Sequence, residues 1–144
     1  MPTRIARTQW SGGLNDGSGQ VELVSSGVGT YDVSFPRRSA DTAGGVTSPE
    51  ELIAAAHASC FAMALSAQLE AAGLPPENVD SRATVTLDKV EGGFAVTSSH
   101  LEVTVKLANP DQQKFEAAAQ AAKTGCPISK LIAAAKITLD ARLA

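Results

Sequence analysis

Residues 48–65 read SPEELIAAAHASCFAMAL and combine a helix-start signature with a long apolar run. Ser48 can cap the first turn through its hydroxyl, and Pro49 fits the first helical position, where no backbone N–H is needed. Glu50 and Glu51 place negative charge at the positive end of the helix dipole. Strong helix formers then follow without interruption. The pattern predicts a helix that begins at Pro49.

The body of this helix is apolar on every side. Between Leu52 and Leu65 only His57 and Ser59 are polar. A helix that is apolar all round must be buried all round. The run is too short and too rich in alanine for a membrane span, which needs about 20 predominantly apolar residues. We therefore expect the core helix of a globular protein.

The helix is expected to end near Ala72, because Gly73 is a natural C-cap and Pro75-Pro76 prevents continuation. A helix of this extent is about 36 Å long. One subunit of 144 residues cannot comfortably cover that length on all sides, and the alanine-rich surface lets a second backbone come close. We infer a homodimer built around paired copies of the helix.

The composition is that of a globular protein with no nucleic-acid partner. A chain of 144 residues is normally one domain, so residues 1–144 are predicted to form a single domain. The net charge of -3 argues against nucleic acids and acidic membranes as partners, because both need basic patches. Residues 1–10 contain no apolar signal segment, and two cysteines are too few for a disulfide scaffold. We expect a cytoplasmic protein.

The rest of the chain alternates between strand and helix patterns. Apolar–polar alternation indicates three strands before the long helix, a hairpin after it and a last strand at the C-terminus. Two shorter helices, residues 109–123 and 127–134, precede the last strand. The order βββ-α-ββ-α-α-β predicts an α+β fold with antiparallel sheets around long central helices. The predicted strands are residues 4–10, 20–25, 30–35, 79–90, 94–108 and 136–143.

The two cysteines lie in opposite environments. Cys60 lies in the apolar helix, where burial raises the pKa of a thiol, so it is either a small core residue or a nucleophile that needs a cation beside it. Cys126 lies between Gly125 and Pro127 at a helix start, where the dipole can lower its pKa. Electrostatics alone favours Cys126 as the nucleophile. A functional pair and a coincidental pair both stay open.

Three other kinds of side chain could take part in chemistry. His57, one turn before Cys60, is either a base for that thiol or a hydrogen-bonded core histidine, and the two cysteines and two histidines lack the spacing of a zinc site. Arg37 and Arg38 are either solvated charges or guanidinium groups that hold a thiolate and polarise an oxygen substrate. Glu50 could orient such an arginine, or only complement the helix dipole.

Two motifs resemble those of the OsmC/Ohr family. The first is the stretch at 48–65, and the second is GCPIS at 125–129. The resemblance extends over nearly the whole chain, including LDKV at 87–90 and GGF at 92–94. The HASC and CPISK forms are similar to the OsmC branch rather than to the organic hydroperoxide resistance branch.

The resemblance implies an intertwined homodimer that acts as a thiol-dependent peroxidase in oxidative or osmotic stress, without a cofactor. Organic hydroperoxides would be the main substrates, hydrogen peroxide a weaker one, and a dithiol such as a lipoylated protein the reductant. Cys60 would be the peroxidatic cysteine and Cys126 would resolve its sulfenic acid as a disulfide, which reverses the electrostatic preference. Glu50 matches the family glutamate, and Arg38 matches the family arginine better than Arg37 does.

The spacing along the helix predicts which subunit supplies each residue. Glu50 and Cys60 are ten positions apart, which is about 15 Å along a straight helix. We therefore expect each site to lie at the dimer interface, with Cys60 and Cys126 from one subunit and Arg38 and Glu50 from the other. Two alternatives stay open: a cysteine hydrolase or acyl-transfer enzyme that uses Cys60 and His57, and a non-catalytic stress-protein dimer.

Overall fold

The computed structural model describes all 144 residues, and they form an α+β fold with two small sheets and one long helix. Contacts divide the chain into two compact units, residues 1–52 and 53–144. The single domain over residues 1–144 stays a prediction. The elements are β1 (Arg7–Ser11), β2 (Ser18–Glu22), β3 (Thr30–Val33), α1 (Phe35–Arg38), α2 (Pro49–Ala71), β4 (Pro76–Val90), β5 (Gly93–Leu107), α3 (Gln112–Gly125), α4 (Pro127–Leu131) and β6 (Lys136–Leu143).

The first unit is built on an antiparallel sheet of β1, β2 and β3 in that order. The three predicted strands are all present, with their ends moved by up to three residues. Val21 is buried, but many of the unit's large apolar side chains stay exposed. This sheet therefore has little core of its own. The exposed side chains are Ile5, Trp10, Leu14, Val24, Val28 and Tyr31.

A short helix begins at the last residue of the third predicted strand, residues 30–35. Helix α1 covers Phe35–Arg38, and the Ser34 hydroxyl accepts a hydrogen bond from the N–H of Arg37 at 3.3 Å. The strand prediction is wrong at Phe35, and this helix was not predicted, because a helix of one turn is too short to show a period. A serine cap followed by proline in the first turn is the only trace that it leaves in the sequence.

Both predicted ends of the long helix are confirmed. The Ser48 hydroxyl accepts a hydrogen bond from the N–H of Glu51 at 3.1 Å. At the other end, Gly73 has a positive φ of 77°, which an L side chain rarely adopts. The N–H of Leu74 then donates to the carbonyl of Leu69 at 2.8 Å, closing the last turn in a Schellman-type cap.

In a single chain α2 is covered on one face only. Its buried side chains recur every fourth residue, at His57, Phe61, Leu65 and Leu69. Residues offset by two positions form an exposed stripe, at Ala55, Ser59, Met63 and Ala67. Complete burial, as expected from the sequence, is therefore absent within one chain.

The sequence argument that the apolar run is too short for a membrane is wrong on length. The helix extends beyond residues 52–65 to 23 residues, so by length and composition it could cross a membrane. Only 22% of its most apolar window is buried.

The second unit contains a mixed sheet, not the antiparallel one that was predicted. Strands β4 and β5 form the predicted antiparallel hairpin, which turns at Glu91-Gly92. Strand β6 pairs with β5 in parallel, with Ser98 opposite Lys136. The antiparallel prediction is wrong for β6 because α3 and α4 carry the chain back across the sheet, as a parallel connection requires.

One apolar core fills the second unit and fixes the position of α2. The inward face of β5 and the buried faces of α2 and α3 pack together. Cys60 and His57 are therefore held on a rigid helix rather than on a loop. The buried core consists of Phe61, Leu65, Leu69, Leu101, Val103, Val105, Leu107, Phe115, Ala118, Ala119 and Ala122.

Candidate active site

The second unit brings the two cysteines together. Cys60 lies on α2, and Cys126 lies at the junction of α3 and α4, where its N–H donates to the carbonyl of Ala122 and its own carbonyl accepts from Lys130. Their sulfur atoms are 2.9 Å apart, and both thiols are free. Cys126 is fully buried, whereas Cys60 is partly exposed. Two thiols at this distance can exchange a proton or form a disulfide with little backbone movement.

The two thiols differ in electrostatic environment. Burial raises the pKa of Cys60, and the hydrogen bond with Cys126 raises it further. Burial also acts to raise the pKa of Cys126, but donors around its sulfur outweigh this and lower the pKa below its usual value. These donors are the Cys60 thiol, the Ser129 hydroxyl and backbone N–H groups at the start of α4. The Cys126 side chain does not form a regular N-cap hydrogen bond with that helix. Within one chain, the negative charge therefore favours Cys126, as the sequence argument from electrostatics expected.

His57 is hydrogen-bonded on both ring nitrogens. Its Nδ1 lies 2.7 Å from the Ser99 hydroxyl on β5, and its Nε2 lies 2.8 Å from the Ser129 hydroxyl on α4. All three side chains are buried. Burial lowers the pKa of His57 below its usual value, which favours the neutral ring. With both nitrogens engaged by serines, His57 has no nitrogen left for direct contact with Cys60, which removes the geometric basis of the hydrolase alternative.

The two serines are polar residues that the sequence analysis did not single out. Ser99 shares the inward face of β5 with Leu101 and Val103, so a polar side chain among apolar ones on that face was the available signal. Ser129 lay inside the second motif. The other histidine, His100, also has partners that the sequence did not reveal, since it contacts Thr138 at 2.5 Å and Asp140 at 3.3 Å.

The first unit holds a bidentate ion pair between Arg38 and Glu50. The Arg38 Nη2 donates to Glu50 Oε1 at 2.7 Å, and Nε lies 3.1 Å from both carboxylate oxygens. Glu50 is only 7% exposed, and Arg38 is the cation that pairs with its buried side chain. The hydrogen bond to Glu50 raises the pKa of Arg38. The guanidinium of Arg37 lies instead against Gly44, so Arg38 is the arginine that Glu50 holds.

The first unit also contains an apolar cavity beside this ion pair. Its volume is about 460 Å³, and Arg38 is the one charged side chain on its wall. Such a cavity fits an apolar group whose polar end faces the guanidinium. The lining residues are Thr8, Trp10, Leu14, Val21, Val33, Ser34, Phe35, Arg38, Pro49 and Leu52.

The four predicted site residues thus fall into two pairs, one in each unit. Cys60 and Cys126 are in contact, and so are Arg38 and Glu50. Their roles in a reaction stay predictions.

Comparisons with known proteins agree on one family. The family model described as OsmC-like protein matches residues 42–141. The chain is 42% identical over 137 residues to "Peroxiredoxin OsmC" of Escherichia coli strain K12, which covers 95% of this chain and 94% of that protein.

Two solved structures have the same fold. An organic hydroperoxide resistance protein OsmC from Legionella pneumophila superposes with a TM-score of 0.72 at 28% identity, over 100% of this chain and 98% of that one. The organic hydroperoxide resistance protein OhrB of Bacillus subtilis gives a TM-score of 0.67 at 26% identity, over 97% and 98% of the two chains.

Proposed function

Because the chain belongs to the OsmC-like family, we propose that it is a thiol-dependent peroxidase that reduces organic hydroperoxides and, more weakly, hydrogen peroxide. The observation that carries the proposal is the pair of free sulfur atoms 2.9 Å apart. The relatives named as peroxiredoxin and as organic hydroperoxide resistance proteins support the substrate class. Its role would be defence against oxidative or osmotic stress.

Accessibility favours Cys60 as the thiol that meets the substrate. Cys126 is fully buried, so a hydroperoxide cannot reach its sulfur without an opening of the core, whereas Cys60 is partly exposed. The Cys60 thiolate attacks the terminal peroxide oxygen, the O–O bond breaks, and the alkoxide takes a proton and leaves as an alcohol. Cys126 then attacks the Cys60 sulfenic acid, the S–O bond breaks, and water leaves as the disulfide forms.

This order requires a cation near Cys60, because burial raises its pKa. Arg38 is the proposed cation. Its position is fixed by the buried carboxylate of Glu50. Its positive charge favours the thiolate form of Cys60, so that the proton of Cys60 moves to Cys126. The same guanidinium can donate hydrogen bonds to the peroxide oxygen that becomes the alkoxide.

We place each site at a dimer interface, with Arg38 and Glu50 supplied by the partner subunit. Ten residues of one helix separate Glu50 from Cys60, or about 15 Å along its axis. The exposed stripe on α2 and the sparsely covered sheet of the first unit both need an apolar partner, and a second copy supplies one by symmetry. Met63, at 72% exposed, is the largest side chain in that stripe.

A second copy is a better cover for α2 than lipid. One face of α2 is packed into the core of its own unit through Phe61, Leu65 and Leu69, so lipid could not surround the helix without dismantling that core. We propose a cytoplasmic location, in which the free thiols persist and a dithiol, such as that of a lipoylated protein, reduces the disulfide.

The apolar cavity gives a substrate test of this function. We expect the reduced protein to turn over cumene hydroperoxide with a higher kcat/KM than hydrogen peroxide when a dithiol such as dihydrolipoamide is present. Leu14→Asp places a charge in the cavity and should lower kcat/KM for cumene hydroperoxide about tenfold, with little change for hydrogen peroxide. Val28→Asp, at an exposed position away from the cavity, is the control. Absence of peroxide turnover with every dithiol would refute the proposed function.

The guanidinium gives an electrostatic test. Arg38→Lys keeps the positive charge but loses the bidentate hydrogen bonds of the guanidinium to Glu50. The lysine also leaves the buried carboxylate with a charged partner, which alanine would not. We expect the Cys60 pKa to rise by about one unit and its oxidation near neutral pH to slow about tenfold, and Arg38→Ala to act more strongly. Thiolate absorbance against pH in the Cys126→Ser background measures the pKa. Arg37→Ala should change neither quantity. If Arg37→Ala changes the Cys60 pKa and oxidation rate and the Arg38 variants do not, the cation beside Cys60 is Arg37.

A further inference from the structure

A continuous line of buried polar side chains leads from Ser99 to the reactive sulfurs. It runs from the Ser99 hydroxyl to His57 Nδ1, from His57 Nε2 to the Ser129 hydroxyl, and from that hydroxyl to the sulfur of Cys126. Cys126 then contacts Cys60. The four residues from Ser99 to Cys126 are buried, so no bulk water competes for these hydrogen bonds.

The hydrogen-bonding capacity of this line allows one proton to move along it. A serine hydroxyl donates one hydrogen bond and accepts others, and a neutral imidazole has one donor nitrogen and one acceptor nitrogen. With the proton on Nδ1, His57 donates to Ser99, and Nε2 accepts from Ser129, whose oxygen can accept from the Cys126 thiol once that thiol no longer donates to Cys60. If the Cys126 proton passes to Ser129 while the Ser129 proton passes to Nε2, every group keeps a partner. The imidazolium then donates to both serines, and Ser129 donates to the thiolate.

We propose that Ser129 and His57 form a proton relay that removes the thiol proton of Cys126 during the resolving step. The proposal rests on the proposed peroxidase function. Ser129 touches the reacting sulfur, and His57 acts through Ser129. The step forms the Cys60–Cys126 bond and breaks the S–O bond of the Cys60 sulfenic acid. The departing hydroxide takes one proton from bulk water at the partly exposed Cys60 and leaves as water, while His57 holds the proton from Cys126. His57 returns that proton through Ser129 when the dithiol reduces the disulfide and Cys126 leaves as a thiolate.

Burial of Cys126 explains why such a relay is needed. A fully buried thiol has no water beside it to take its proton, and the thiol is a far weaker nucleophile than the thiolate. Burial lowers the pKa of His57, so the resting ring is neutral and one nitrogen is free to accept. The two serine hydroxyls can then accept from both nitrogens of the imidazolium, which offsets part of the cost of charging a buried ring. Burial is the cause of that pKa shift. The ionisable groups on the line are His57, Cys126 and, beyond it, Cys60.

A purely structural role for His57 is the competing explanation, and the two serines distinguish them. Ser99 and Ser129 make equivalent hydrogen bonds to the ring, at 2.7 and 2.8 Å, but only Ser129 contacts Cys126. If the network only fills and fixes the core, Ser99→Ala and Ser129→Ala should act alike. If it is a relay, their effects on Cys126 should differ.

The first experiment titrates Cys126 alone, in the full-length Cys60→Ser protein, by thiolate absorbance. Ser129→Ala in this background should raise the Cys126 pKa by about one unit, because the thiolate loses a donor, and Ser99→Ala should shift it far less. Equal shifts, or no shift with Ser129→Ala, would overturn the assignment. This measurement does not depend on peroxidase activity, so it stands even if the proposed function fails.

The second experiment tests His57 through the chemistry. After one equivalent of cumene hydroperoxide, the ratio of disulfide formation to Cys60 oxidation should fall about 100-fold in His57→Gln, which keeps a polar side chain but cannot accept the proton as imidazole does. Sulfenic acid should then accumulate and be trapped by dimedone. Ser129→Thr retains the hydroxyl and should resolve faster than Ser129→Ala. If the Cys60 sulfenic acid becomes a disulfide equally fast in the parent protein and in His57→Gln, the proton relay is wrong. The proposed peroxidase function is not affected by that result.

A third measurement needs no substitution within the line. Nitrogen NMR of the His57 ring in the Cys60→Ser protein should show a proton on Nδ1 and none on Nε2 while Cys126 is a thiol. A ring that carries its proton on Nε2 under those conditions cannot accept from Ser129, and the relay would be excluded.

Discussion

Cys60→Ser protein should consume no cumene hydroperoxide above the uncatalysed background, because the sulfur that receives the peroxide oxygen is gone. Cys126→Ser protein should complete one oxidation and then stop. Its Cys60 sulfenic acid lacks the neighbour that lies 2.9 Å away in the unmodified chain, so no intramolecular disulfide can form. Peroxide consumption under excess dithiol and dimedone labelling measure the two outcomes.

Ser59→Ala is the matched control for these substitutions. Ser59 lies beside Cys60 on the exposed stripe of α2, and its hydroxyl only bonds back to the carbonyls of Ala55 and Ala56. We expect turnover close to that of the unmodified protein. The two roles would be reversed if Cys60→Ser kept turnover and Cys126→Ser lost the first oxidation. Cys126 would then be the peroxidatic cysteine, and its lower pKa would be the reason.

Mixed dimers should recover activity from two inactive parents. Cys60→Ser and Glu50→Ala chains, each nearly inactive alone, share one intact site when they pair in trans: Cys60 of the Glu50→Ala chain faces Glu50 of the Cys60→Ser chain. Random pairing of equal amounts makes half the dimers mixed, each with one intact site of two, so we expect about a quarter of normal turnover.

A second mixture is the control for this exchange. Cys60→Ser and Cys126→Ser chains should stay inactive together, because both cysteines of a site come from one subunit and neither parent carries the pair. No recovery in verified Cys60→Ser/Glu50→Ala dimers would contradict the shared site. Recovery in the control mixture would show that the cysteines themselves act across the interface.

Local signals made the long helix and the hairpin predictable. Ser48 and Gly73 cap α2 as their residue types indicate, and the inward residues of β5 alternate as a half-buried strand must. Helix α1 escaped prediction because four residues show no period. The parallel pairing of β6 depends on how α3 and α4 cross the sheet, which strand patterns alone do not encode.

The sequence identified the charged and thiol residues of the site more readily than their partners. Motif matches led to Cys60, Cys126 and Glu50 and favoured Arg38 over Arg37, and the structure adds that Arg38, at the end of α1, contacts Glu50. Ser99 and Ser129 lie 30 residues apart in sequence and meet only through the ring of His57. Their contribution depends on tertiary packing, which no pattern local to either serine reveals.

Mass spectrometry of the reduced, unmodified protein after one equivalent of cumene hydroperoxide shows whether the two cysteines react as a pair. We expect a loss of two hydrogens, and peptide mapping should locate it in a bond between Cys60 and Cys126 within one chain. Unchanged thiols after exposure would contradict a peroxidase and favour a non-catalytic protein, and an oxidised Cys60 that never joins Cys126 would contradict the resolving role of the second cysteine.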